Sequence, residues 1–220
     1  MGRGQGPAGA RADVRKKSVR AAEQDRPDVA DARAAWRVSQ LGLDPAKLVF
    51  VDETWAKTNM TRLRGRCPAG ERLVAAVPHG HWRTTTLIAA LGEGGVRAAM
   101  TLDGPVNRDS FEAFVGRVLA PTLAPGDVVV MDNLSSHKGP RVRELVEAAG
   151  AAVVYLPPYS PDPNPIELAF AKLKQLMRSA AHRTADALWR DVQRMLDLVT
   201  PDDAANFIRH CGYRRPLQVE

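Results

Sequence analysis

The chain is poor in cysteine. Cys67 and Cys211 are its only two, far apart and in no CxxC pair, which argues against a disulfide framework or a thiolate zinc site and leaves both as inert thiols. No apolar run approaches the roughly 18 residues that a membrane-spanning helix needs. The N-terminal MGRGQGPAGARADVRKK lacks the apolar centre of a secretory signal. The expectation is a cytoplasmic protein with no membrane partner. Internal repeats are also missing. What is present is a 220-residue chain of 45% hydrophobic composition, enough for one good core in one domain, or one domain with an appendage.

The formal charge is +6, and residues 1–40 hold nine Arg and Lys against five acids, so +4 of it lies there. A basic arm ahead of a nearly balanced body suits either contact with a polyanion or plain solvation. Residues 1–18, rich in Gly, Ala and Arg without apolar periodicity, are expected to lack order. A helix is predicted over 27–41, with Val29, Ala32, Ala35, Trp36 and Ser39 on one face. These segments make a basic N-terminal arm and linker helix, 1–46, ahead of a body at 47–220.

The body reads as five strands and four helices. LVFV (48–51) is a short continuous apolar run, expected of a strand buried on both faces and ending directly in Asp52. TLIAAL (86–91) and VRAAMTL (96–102) flank GEGG, a hairpin signal. A helical pattern covers 107–120, and DVVVM (127–131) is a buried-type strand ending in Asp132. GPRVRELVEAAG (139–150) is a helix with Pro140 near its start and Gly150 at its cap, followed by the strand AAVVYL (151–156). Apolar faces of two further helices run from Ile166 to Met177 and from Leu188 to Val199. This order predicts an α/β fold, a mixed five-stranded sheet flanked by helices. A right-handed crossover would make the strands at 127–131 and 151–156 parallel.

In YLPPYSPDPNPIELAF (155–170) five prolines fall within nine positions. Each fixes φ and biases its predecessor toward extended geometry, so the segment is a rigid strut that loses little entropy on folding. Glu167, just beyond it, has two readings. With Asn164 and Pro165 at N-cap and N1 it completes a capping box; alternatively the strut exists to place its carboxylate. Asp52 and Asp132 each are the first polar residue after a hydrophobic strand. An isolated Asp there is usually a turn or cap residue. If the two strands are neighbours, however, the carboxylates meet at one sheet edge and repel unless a cation lies between them, and oxygen ligands suit Mg²⁺.

VFVDET, MDNLSSHK and YSPDPNPIE, in this order, resemble the three catalytic blocks of DDE transposases of the mariner-like superfamily, in its bacterial insertion-sequence branch. The 34 residues between Asp132 and Glu167 match the spacing of that superfamily, and the resemblance runs from about Lys16 to Tyr213. It implies a ribonuclease H-like fold in which Asp52, Asp132 and Glu167 bind Mg²⁺ or Mn²⁺ for two-metal phosphoryl transfer. The activity implied is DNA cleavage at insertion-sequence ends followed by strand transfer. Implied partners are double-stranded DNA, a second copy of the chain on that DNA, and a separate N-terminal helix-turn-helix polypeptide, since such modules normally precede this region. The alternative is a non-catalytic DNA-binding or dimerising remnant; a third reading is a structure-specific nuclease on the same fold. Pro163 stands where the family commonly has leucine.

Other residues admit two roles. Glu53 should point to the opposite side of the strand from Asp52 and is read as structural. Asn133 and His137 suit contact with metal-bound water or DNA phosphate, His137 equally a place at a helix start. His79, His81 and Trp82 suit DNA contact or loop packing rather than zinc. Arg62, Arg64, Arg66 and Arg72 in one loop, and Lys172, Lys174 and Arg178 after Glu167, suit phosphate contact or solvation.

Overall fold

The computed structural model describes residues 21–74, 76, 82–134 and 137–214. The arm at 1–18, His79 and His81 lie outside them. Five strands form one sheet: β1 (Leu48–Lys57), β2 (Thr84–Gly92), β3 (Gly95–Asp103), β4 (Val128–Met131) and β5 (Ala152–Tyr155), in the order β3-β2-β1-β4-β5. β1–β2 and β2–β3 are antiparallel, whereas β1–β4 and β4–β5 are parallel. The mixed five-stranded sheet expected from the sequence is therefore observed, including the hairpin at GEGG, where Gly95 takes φ 112°.

Alternation along the strands feeds two cores, one on each face. Leu48 and Phe50 of β1, with Leu87, Ala89 and Leu91 of β2, face α4 (Ile166–Ala180), α5 (Ala185–Asp197) and α6 (Pro201–His210). Val49 and Val51, with Ile88 and Ala90, face α2 (Arg108–Phe114), the π turn that continues it (Val115–Leu119) and α3 (Pro140–Ala148). Fully buried side chains such as Phe50, Phe111 and Phe170 each contribute roughly 1.5–3 kcal/mol by leaving water. The helix α1 (Pro27–Ser39) lies on the first face and places Trp36 in its core.

Two elements depart from the sequence reading. β1 does not end at Asp52 but runs on to Lys57, paired over that stretch with β2 alone. Its second half, ETWAK, has no apolar run to announce a strand, and the antiparallel neighbour holds it. α6 (Pro201–His210) is a helix beyond those read from the apolar pattern. It is capped by Thr200, whose hydroxyl accepts from Asp203 N–H while the Asp203 carboxylate accepts from Thr200 N–H, with Pro201 at the first helical position. Among the described residues no helix is long and apolar enough to cross a membrane.

Candidate active site

The parallel pairing of β1 with β4 sets Val51 beside Met131, so the next residues, Asp52 and Asp132, stand side by side. β4 stops there while β1 continues, and a cleft of about 430 Å³ opens at the step, lined by Asp52, Asp132, Asn133, Asn164 and Glu167. The strut crosses from β5 over this cleft and delivers Glu167, exposed, in the first turn of α4. All three sequence-predicted carboxylates thus line one cleft.

Asp52 is buried, and both its oxygens are held. Oδ1 accepts from Glu53 N–H at 2.7 Å and Oδ2 from Asn164 Nδ2 at 2.8 Å. The capping box expected for Asn164 and Glu167 does not form: Pro165 is the N-cap, without a side-chain cap bond. The Asn164 side chain reaches Asp52 instead, a contact across 112 positions that no local pattern could announce. Desolvation, then repulsion from Asp132 and from Glu167, pushes the Asp52 carboxyl up to about 8.

Asp132 accepts from Leu134 N–H at 3.2 Å. His137 stands behind it with no solvent exposure, Nδ1 2.5 Å from Asp132 and Nε2 2.9 Å from Glu53. Its ring stacks on Phe111 at 4.1 Å, and its carbonyl accepts from the Tyr155 hydroxyl at 3.0 Å. Burial alone would pull this imidazole down, but Asp132 and Glu53 together outweigh it and carry its pKa up to about 9. The imidazolium thus lies between two carboxylates on the far side of β1 from Asp52. This corrects the reading of His137 as a DNA contact, because a side chain without exposure meets no phosphate. Glu53 does point away from Asp52, as alternation requires, and its partner is this histidine.

The cation candidates separate. Lys172 is committed inside the fold, donating to the Leu198 carbonyl at 2.7 Å and to Asp203 at 2.5 Å, so that it ties α4 to the start of α6. Lys174 lies 5.2 Å from the ring of Trp55, which Lys57 also covers at 4.9 Å while lying 5.6 Å from Trp82. Both indoles are about half exposed. Arg62 and Arg64 are exposed between β1 and β2, and Asn133 lines the cleft.

Among the described residues no three His, Cys, Asp or Glu side chains close a metal cage by themselves. The donors nevertheless fit a hard divalent cation. All three are carboxylates at one open cleft, and Asp132 and Glu167 both add repulsion to the burial that already raises the Asp52 carboxyl. Mg²⁺ commonly takes one or two carboxylates and completes its shell with water and substrate phosphate.

The DDE superfamily endonuclease family matches residues 47–189. The chain belongs to that family. Its fold is similar to the strand transfer complex of Mos1 transposase (17% identity, TM-score 0.73, 91% of this chain and 63% of that one) and to the mariner Mos1 paired end complex with Mg (18%, 0.70, 93% and 64%). It is similar also to the catalytic domain of Mos1 mariner transposase alone (15%, 0.65, 89% and 92%). The shared architecture is the ribonuclease H-like fold. Against the paired-end structures the chain spans less than two thirds of the Mos1 length. No curated protein matches the sequence.

The Asp52 shift has a direct consequence for stability. Its folded pKa of about 8 lies above its ordinary 3.8, so the metal-free folded chain holds a proton that the unfolded chain has released. Stability from this group is full below about pH 4 and is lost as pH rises through about 8. Asp52→Asn should therefore flatten the fall of Tm between about pH 5 and 8 measured in chelator; parallel curves for parent and variant would contradict the assignment.

Proposed function

We propose that the chain is the catalytic domain of a DDE transposase of the bacterial insertion-sequence branch, cutting DNA at element ends and joining the freed 3′-hydroxyl to target DNA. The observation that carries this reading is the Val51–Met131 register, which sets Asp52 and Asp132 side by side at the cleft that Glu167 also lines. Asp52, Asp132 and Glu167 would hold Mg²⁺ or Mn²⁺. A divalent cation there supplies charge stabilisation of the reacting phosphodiester and lowers the pKa of the attacking hydroxyl.

The chain's own residues prepare that site. Asn164 and the Glu53 amide fix the plane of the Asp52 carboxylate from both oxygens. His137 fixes Asp132 from behind, on the side closed to solvent. Glu167 approaches from the solvent-exposed side of the cleft. The patch of Lys57, Lys174, Trp55 and Trp82 offers cations and indole faces of the kind that hold phosphates and unstacked bases. The partners are double-stranded DNA, a second copy of the chain on paired ends, and a helix-turn-helix polypeptide that recognises those ends, all in the cytoplasm.

Supercoiled plasmid with Mg²⁺ or Mn²⁺ is the test, because nicking needs no recognition of specific ends. The parent should convert it to open circles, and Asp52→Ala and Asp132→Ala should not. A folded parent that leaves the plasmid intact would move the assignment to a binding-only remnant.

A further inference from the structure

Three consecutive residues of the proline strut are fastened to three different parts of the chain. Asp162 accepts from both terminal guanidinium nitrogens of Arg33 in α1, at 2.8 and 2.9 Å. The Pro163 carbonyl accepts from the Tyr213 hydroxyl at 2.8 Å. Asn164 donates to Asp52. One turn earlier, Arg33 also donates to Ser160 Oγ at 2.8 Å and to the Tyr159 carbonyl at 3.3 Å, and Gln24 donates to that same carbonyl at 2.7 Å. Tyr159 sits in the left-handed region at φ 53°, which a non-glycine residue keeps only when its surroundings hold it there.

Proline explains the stiffness of the strut but not its position. Fixed φ angles preserve the internal shape of 157–165, yet a stiff segment can still swing about its two ends. One end leaves β5, an edge strand, and among the described residues no further strand lies beyond it to restrain the swing. Restraint has to come from outside the sheet, and the observed hydrogen bonds supply it. Arg33 is 12% exposed and uses its planar fork on a carboxylate, the geometry in which arginine is most directional. Tyr213 is buried, with its ring tilted on Phe50 at 5.0 Å, so its hydroxyl is aimed by the core itself. Arg33 and Tyr213 both lie outside the matched segment 47–189.

We propose that Arg33 and Tyr213 are positioning residues of the active site: they brace the proline strut so that Asn164 and Glu167 face Asp52. This rests on the reading of Asp52, Asp132 and Glu167 as a metal site. A purely structural role, stapling the ends of the chain to the body, would lower global stability and leave the local order of the strut and the metal affinity as they are.

The experiment uses the full chain and compares the parent with Arg33→Ala, Arg33→Lys and Tyr213→Phe by amide hydrogen exchange, Mn²⁺ titration and plasmid nicking. Exchange at the Asn164, Glu167 and Leu168 amides should quicken about tenfold in Arg33→Ala and Tyr213→Phe, with β4 amides unchanged. Mn²⁺ affinity should fall about tenfold in the same variants. Arg33→Lys, keeping the charge without the fork, should fall between. Strut amides and Mn²⁺ affinity equal to the parent's in both variants would overturn the proposal, as would exchange that quickens equally across β1, β4 and α5. Exchange and Mn²⁺ shifts as stated, with no nicking by the parent, would leave the brace standing and remove the nuclease reading.

Discussion

Replacing Glu167 by Gln should cost roughly 10³-fold in metal-dependent nicking while leaving the fold almost as stable as before. The two halves of this expectation have separate causes. Glutamine keeps the size and hydrogen-bonding ends of the side chain but removes the charge that a divalent cation needs, so the chemistry is lost. For stability two small effects oppose each other. Glu167 lies exposed in the first turn of α4, where a negative charge stabilises the helix start by roughly 0.3–1 kcal/mol. It also repels Asp52, and that repulsion disappears. Thermal melts in chelator should therefore nearly coincide, and a nicking assay on the same preparations should separate parent from variant completely. Substantial nicking by Glu167→Gln would remove this carboxylate from the site.

His137→Ala should act on stability and activity together. Removing a buried cation from between Asp132 and Glu53 leaves two carboxylates facing each other without it, and breaking a buried ion pair in this way typically costs roughly 3–5 kcal/mol. For a domain of this size that lowers Tm by about 6 °C or more. The pH dependence has a definite sign. The folded imidazole, at about 9, lies above its ordinary 6.5, so its contribution is full below about pH 6.5 and is lost as pH rises through about 9. The Tm gap between parent and variant should be widest on the acid side and narrow toward pH 9. Glu53→Gln should reproduce part of the loss, and the double variant should lose less than the two singles added together, because the removed groups interact. Strict additivity would mean that His137 and Glu53 do not interact, leaving Asp132 and the stack on Phe111 as the partners of His137.

Much of this architecture was legible because it is written in local patterns. Continuous apolar runs announced β1 and β4, and their abrupt ends drew attention to Asp52 and Asp132. Gly150 marked the end of α3. The second half of β1 was not legible because its strand character comes from pairing with β2 rather than from ETWAK itself. α6 is announced in the sequence only by its start signal, Thr200, Pro201 and Asp203. The remaining omissions are of another kind. Asn164 carried a correct local signal for a helix cap, yet its amide bonds a carboxylate 112 positions away. Arg33 meets Asp162 across 129 positions, and Tyr213 meets Pro163 across 50. Side chains that act through long-range hydrogen bonds leave no periodicity in the sequence, so the carboxylates that line the cleft could be read and the groups bonded across the chain could not.

The central claim is that Asp52, Asp132 and Glu167 together form one divalent-metal site. Calorimetric titration of Mn²⁺ tests it without dependence on DNA or on turnover, comparing the parent with Asp52→Asn, Asp132→Asn and Glu167→Gln, and with Asp203→Asn as a carboxylate removed elsewhere. The account predicts that each of the first three weakens Mn²⁺ binding by about tenfold or more and that Asp203→Asn binds as the parent does. Parent-like Mn²⁺ binding in all three cleft variants would contradict it.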